Sequence, residues 1–205
     1  MDFIYKKFEV EEKDLQKTHK LGEAKRGWKF DPKVHNVFFI GLRGSGKTSL
    51  GRLVASELSM VFVDTDEEVV KKIGKNIEDF VKDHGWDEFR AIESEILEDI
   101  CSKKGQVIAT GGGIILKDKN RELIKNSGFV FYLIGSIPTL MSRILNDKQN
   151  KNRPPLTHKP LEEELILSLR EREPLYLSTA HFVVSAEKSL DELKQDVYFY
   201  LGVKR

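Results

Sequence analysis

Short unbroken apolar runs alternate along this chain with longer stretches in which apolar residues recur every three or four positions. The runs fall at 37–40, 60–63, 107–110, 129–134 and 182–184. Runs of that length and character predict strands buried on both faces. Leu50, Leu53, Val54 and Leu58 follow the first run at helical spacing. Phe89, Ile92, Ile96, Leu97 and Ile100 share one face of a helix predicted over 86–103. Shorter helices are predicted over 66–74 and 76–83, divided at Gly74, and over 119–126, 137–147, 161–173 and 189–201. Pro174 is expected to end the helix that precedes it, because a proline nitrogen has no hydrogen to donate. Strands separated by helices need crossover connections. The pattern therefore predicts an α/β fold, a parallel sheet between layers of helix.

Two segments break the alternation. Residues 1–31 are charge-dense and read as an N-terminal extension ending at the Asp31-Pro32 turn, with 32–205 as the domain proper. A short polar helix is expected around residues 10–21, and Phe3, Ile4, Phe8, Trp28 and Phe30 are candidates for pinning the segment to the domain. The second break, 146–160, is polar, basic and rich in proline and asparagine, the composition of a long exposed loop or lid.

Composition narrows the class. A chain of 205 residues favours one domain. With 34 basic and 33 acidic residues the net charge is +1, which leaves no electrostatic footprint for duplex nucleic acid or an anionic membrane. Lys148, Lys151 and Arg153 lie close together but lack the interleaved aromatics of a single-strand platform. No apolar stretch approaches the ~20 residues of a membrane-spanning helix. The charged N-terminus does not read as a signal peptide. The one cysteine, Cys101, has no internal partner and sits on an apolar helix face, where a core role is expected. His19, His35, His84, His158 and His181 show no metal-ligand spacing. A soluble cytoplasmic protein is the expectation.

The chemistry begins after the first strand. Residues 41–48 read GLRGSGKT and satisfy G-x-x-x-x-G-K-[ST], between a buried strand and an amphipathic helix. A polyphosphate is large and anionic, so the chain must wrap it with bare N–H groups at a helix N-terminus. Gly41, Gly44, Ser45, Gly46, Lys47, Thr48 and Ser49 are the candidate nucleotide-binding positions. Lys47 is expected to reach the terminal phosphates, and Thr48 to ligate Mg²⁺.

The second strand ends in Val63-Asp64-Thr65-Asp66. On an extended chain Asp64 and Asp66 would project from one face, one serving a metal's water shell and one a substrate hydroxyl. A helix N-cap with a first-turn acid explains the same letters. The third strand ends in Thr110-Gly111-Gly112-Gly113, either a loop closely approached by a ligand or a tight turn. Arg90, Arg153 and Arg172 supply cations from three further places. Arg170 and Arg172, two apart on a helix, face different ways, so only one is expected at a given site.

Taken together, GLRGSGKTSLGR, FVDTDEEV, WDEFRAIESEIL, VIATGGG, FVFYLIG, RPPL and REREPLY resemble the shikimate kinases in order and spacing, from about residue 36 to the end of the chain. That resemblance implies a three-layer fold with a five-stranded parallel sheet in the order 2-3-1-4-5, similar to the nucleoside monophosphate kinases. It implies transfer of phosphate from ATP to shikimate, giving shikimate 3-phosphate in aromatic amino-acid biosynthesis, by a protein that is commonly monomeric. By the same resemblance Asp66 meets the accepting hydroxyl, and Arg90 and Arg172 hold the substrate carboxylate. Gly111, Gly112, Gly113 and Phe89 line the substrate, and Asp64 serves Mg²⁺ through water. Arg153 is the lid arginine, and Arg143 lies near the adenine.

Departures from that pattern are Arg43, where an apolar residue or proline is common, and Val81, where an aromatic is common. The lid reads RPPL in place of RPLL, and the first 30 residues have no counterpart in the minimal enzyme. Two other readings stay open at this stage. One is a P-loop kinase for another small hydroxy acid such as gluconate, or for a nucleotide. The other is a shikimate kinase-like module without turnover, although Lys47, Asp66 and both arginines are present.

Overall fold

Strand β1 (Asn36–Ile40) is buried from end to end, and its alternation sorts the core into two halves. The computed structural model that shows this describes residues 29–146 and 160–203. The helix expected around 10–21, the pins Phe3, Ile4, Phe8 and Trp28, most of the expected lid and Arg153 lie outside those residues. Phe30 is described and packs edge-on against Phe129, ring centroids 5.7 Å apart.

Val37 and Phe39 face one way. They join Val107, Phe131 and Val184 of the sheet, Leu50 and Val54 of α1 (Lys47–Leu58), and Val197 of α7 (Leu190–Leu201). Phe38 and Ile40 face the other way. They join Ile108 and Val130, together with Leu97 of α3 (Ile77–Ser102), Ile124 of α4 (Asp118–Ser127) and Leu169 of α6 (Leu161–Thr179). Period-two alternation on a strand covered on both sides thus builds a helix–sheet–helix sandwich.

The sheet has five strands, all parallel, in the order β2-β3-β1-β4-β5. The others are β2 (Val61–Asp64), β3 (Gln106–Ala109), β4 (Gly128–Ile134) and β5 (Phe182–Ser185). This is the expected order. The chain leaves β1 toward β3 and β2 on one side, then returns to lay β4 and β5 on the other. Loops therefore part at the carboxyl edge beside β1, where open α/β sheets hold ligands. α2 (Thr65–Ile73) follows β2 directly, and α5 (Ile137–Asn146) follows β4.

The predicted helices 76–83 and 86–103 are both present within α3, which breaks between them at Gly85, where φ 82° and ψ 169° are not helical. One helix differs from the expected pattern. Pro174 does not end α6, which runs on to Thr179. The last turn is held from outside. Tyr176 is fully buried, stacks on Tyr132 with centroids 4.9 Å apart, and donates to Gly112 O at 2.5 Å. Within the turn itself, Thr179 Oγ1 donates to Leu175 O at 2.7 Å. Such packing offsets the cost of about 3 kcal/mol for an interior proline. Cys101 is buried in the core, as its helix face predicted. Among the described residues no helix is long and apolar enough to cross a membrane.

At the amino end of the sheet a polar side chain does the work of a backbone. Asn36 Nδ2 donates to Lys103 O at 2.8 Å, and Gln106 N donates to Asn36 Oδ1 at 3.0 Å. The side chain is fully buried. Asn36→Ala strands both backbone partners, so we expect a loss of about 2 kcal/mol or more. For a chain of this size that is a fall in melting temperature of roughly 4–8 °C. Urea unfolding checks it.

Candidate active site

The loop between β1 and α1 is built from positive-φ glycines where side chains would be strained: Gly44 at 78° and Gly46 at 92°. It wraps the amino end of α1, whose free N–H groups carry partial positive charge. Lys47 folds back over this loop, its Nζ donating to Leu42 O at 2.7 Å and Ser45 Oγ at 3.3 Å. Gly41 abuts β4, where an added Cβ would lie 2.8 Å from Leu133 O. Ser45 is buried. Gly44, Gly46, Lys47, Thr48 and Ser49 line a cleft of about 470 Å³. Gly41 and Ser45 shape the loop from behind.

Arg143 closes the far side of that cleft. Its Nη1 donates to Ser45 O at 3.4 Å, and its Nη2 to Ala186 O at 2.6 Å, just past β5. A guanidinium so held presents a flat cation at the cleft wall.

Asp64 resolves the two readings of its motif by serving both. Its Oδ1 accepts from Asp66 N at 3.0 Å and Glu67 N at 3.4 Å, so it is the N-cap of α2. Its Oδ2 accepts from Thr48 Oγ1 at 2.9 Å. A hydroxyl and a carboxylate at the cleft floor form an all-oxygen pair that suits a hard cation retaining water and phosphate ligands. The expected extended i, i+2 arrangement, with both carboxylates on one face, is not what forms. The chain turns helical at Thr65, which sends Asp64 toward the phosphate loop and Asp66 toward the glycine loop.

The glycine loop is held between these parts. Gly111 N donates to Thr65 Oγ1 at 2.8 Å, and Thr110 N donates to Phe39 O at 3.1 Å. A Cβ at Gly111 would collide with Asp66 Oδ1, and one at Gly113 with the guanidinium of Arg90. The close approach that bare residues permit here is to the protein's own functional side chains.

Beyond Gly111–113 lies a second cleft of about 560 Å³. Phe89, Arg90 and Arg172 line it, from α3 and α6. Arg90 is stacked over Trp86 and Phe89, 5.2 and 5.1 Å from the ring centroids. Its Nη1 pairs with Glu93 Oε2 at 2.7 Å. Arg172 is nearly buried, whereas Arg170 faces solvent, as their spacing predicted. Val81 lines the apolar part of this cleft. Arg43, Asp66 and Gly112 line both clefts. Asp66 therefore stands where the two meet.

Several residues here escaped the sequence reading. Glu93 is 2% exposed, and burial pushes its carboxyl up to about 7, against the pull of Arg90. Its only signal was the spacing of three from Arg90 on a helix. Burial also holds the Tyr176 phenol far above its ordinary range, with the Arg172 guanidinium opposing. Thr65 sat unremarked between two acids. The ion pair of Arg43 with Glu164, 2.7 Å long, joins residues 121 apart in sequence and had no signal at all.

With this geometry in view, comparison with known proteins is direct. Residues 43–199 match the sequence pattern of the family described as shikimate kinase. A Photorhabdus laumondii protein named shikimate kinase 2 is 38% identical over 157 residues, 77% of this chain and 90% of its own length. A Nitratidesulfovibrio vulgaris protein named shikimate kinase is 36% identical over 164 residues, 80% of this chain and 94% of its own length. The solved structure of an Acinetobacter baumannii shikimate kinase in complex with shikimate superposes with a TM-score of 0.77 at 31% identity, covering 89% of this chain and 98% of that one.

Glu93 makes a pH signature. Its folded carboxyl keeps a proton up to about 7, whereas the unfolded chain releases it near the ordinary 4.5. Between those values the folded state binds more protons, so stability falls as pH rises through the window. The contribution is on the order of 3 kcal/mol. Removing the group removes the slope. Relative to the parent, Glu93→Gln should gain stability of that order between about pH 4.5 and about pH 7.5, read by urea unfolding at each pH.

Proposed function

The chain belongs to the shikimate kinase family, and we propose that it transfers the terminal phosphoryl group of ATP to the 3-hydroxyl of shikimate, giving ADP and shikimate 3-phosphate. One observation carries this function. Asp66 and Gly112 line both clefts, with Lys47 and the helix N-terminus on one side and two arginines on the other. A nucleotide's terminal phosphate and a carboxylate-bearing alcohol can thus meet at one acid.

The steps follow from these groups. ATP lies along the phosphate loop, its β- and γ-phosphates wrapped by the N–H groups of residues 44–48 and met by Lys47. Arg143 and the residues after β5 border the end of the cleft left for the base. Shikimate's carboxylate is taken by the planar forks of Arg90 and Arg172. Glu93 and the rings of Trp86 and Phe89 hold Arg90 in place. Asp66 accepts a hydrogen bond from the 3-hydroxyl and points its oxygen at the γ-phosphorus. The O–P bond forms as the bond to the β–γ bridging oxygen breaks. The hydroxyl proton passes to Asp66, and ADP leaves with its charge held by Lys47 and the loop amides. Alignment and charge neutralisation do more here than a strong base, since the transition state is loose.

Thr48, and Asp64 through water, are the residues that would hold Mg²⁺, which when bound supplies neutralising charge at the phosphates. Arg153 belongs to this proposal as a lid cation. Residues 32–205 form the catalytic domain, with 1–31 an extension outside it, in keeping with the family match over 43–199. The protein is read as a cytoplasmic monomer, a compartment that suits its single buried thiol.

ADP release measured across shikimate, quinate, gluconate and nucleoside monophosphates tests the assignment. Only shikimate should turn over at a high rate. Turnover of gluconate without shikimate would overturn it. Asp66→Ala should lower kcat by roughly 10²-fold or more while ATP still binds. A chain beginning at Lys29, which retains the Phe30 contact, should keep parental kcat; a large loss would move the domain boundary.

A further inference from the structure

Arg43 stands in the phosphate loop, yet its charge is met outside the nucleotide cleft. Its Nη2 lies 2.7 Å from Glu164 Oε1, with the two side chains 17% and 2% exposed. Glu164 sits in the first turn of α6 and lines the second cleft, while Arg43 lines both. A pair so far out of water is screened less than the surface pairs elsewhere on the molecule.

This contact ties α6 to a loop at the sheet edge. So does Tyr176 Oη donating to Gly112 O. Gly112 in turn packs beside the phosphate loop, where an added Cβ would lie 3.4 Å from Gly41 O and 3.7 Å from Arg43 N. The two ties are twelve residues apart on α6, about 18 Å of helix. Arg172 and Ser168 lie between them and line the second cleft. Where α6 stands relative to the phosphate loop therefore sets where Arg172 stands relative to an incoming phosphate.

Resting on the function proposed above, we infer that Arg43 and Glu164 are a positioning pair that couples occupancy of the nucleotide cleft to affinity for shikimate. A guanidinium is a planar fork with donors on more than one edge. One edge holds Glu164, and another meets phosphate oxygens arriving in the cleft beside it. Both contacts are satisfied together only when the first turn of α6 is drawn to one position against the loop. Nucleotide then restricts α6 before shikimate arrives, and Arg172 is pre-positioned for the carboxylate. By linkage, shikimate must tighten nucleotide binding by the same factor.

The test uses Trp86, which lines the second cleft, as a fluorescent reporter in the full chain carrying Trp28→Phe, which removes the other of its two tryptophans. Shikimate is titrated with and without magnesium and the β,γ-imido analogue of ATP. In that parent the analogue should tighten shikimate binding about 5-fold or more. Arg43→Met and Glu164→Gln should each bring that ratio close to one, and the double variant should lose no more than either single change. Arg43→Lys, which keeps the charge and loses the fork, should retain part of the ratio. Melting temperature is followed in parallel. If a single variant fails to fold, the double variant carries the test, since it removes both members of this ion pair together. A parental ratio preserved in the double variant would overturn the inference. So would a parent that binds both ligands independently, and in either case the kinase assignment stands. A parent that neither binds nor phosphorylates shikimate overturns the kinase assignment and this coupling together.

Discussion

The burial of β1 on both faces is the constraint from which the rest follows. A strand with helices above and below has no place for a charge along its length, so polar function must collect where the strand ends. At Ile40 the strand stops, and the loop that follows carries Gly41, Gly44 and Gly46 at positive φ into the amino end of α1. The parallel neighbour β3 ends opposite Phe39, one residue before the end of β1, which brings the glycine loop against the phosphate loop. Thr110 N donating to Phe39 O fastens the two. The site is therefore a consequence of sheet order as much as of the residues that occupy it.

Charge in this region is managed by pairing across elements. Arg90 is held by Glu93 and two rings, Arg143 by two backbone carbonyls, and Arg43 by Glu164. Each arrangement orders a long side chain before any ligand arrives, which reduces what binding must spend on ordering it. Glu93 shows the opposing side of such order. A carboxyl so far from water resists ionisation even beside a guanidinium, so the pair that orients Arg90 also makes the protein less stable at neutral pH.

The phosphate loop was legible because its chemistry is local. Glycine, lysine and threonine at fixed offsets between strand and helix act on backbone geometry within eight residues. Asp64 and Asp66 were legible as a pair but not in their division of labour, because the turn to helix at Thr65 separates them. Pro174 misled, since proline's cost is also local and the contacts that outweigh it come from Gly112 and Tyr132. Glu93 and Glu164 look in sequence like any acids on a solvated helix. Their burial depends on what the fold sets opposite them.

By itself the sequence determined the strand and helix alternation, the nucleotide loop, and the types of residue that converge on an acceptor. It could do so because hydrophobic period and glycine pattern act over a few residues. The strand order is carried by contacts between elements far apart in the chain. So are the meeting of two clefts at Asp66, the continuation of α6, and the joining of Arg43 to Glu164. Those were decided only when the parallel sheet brought residues 46 to 121 apart in the chain to a common edge.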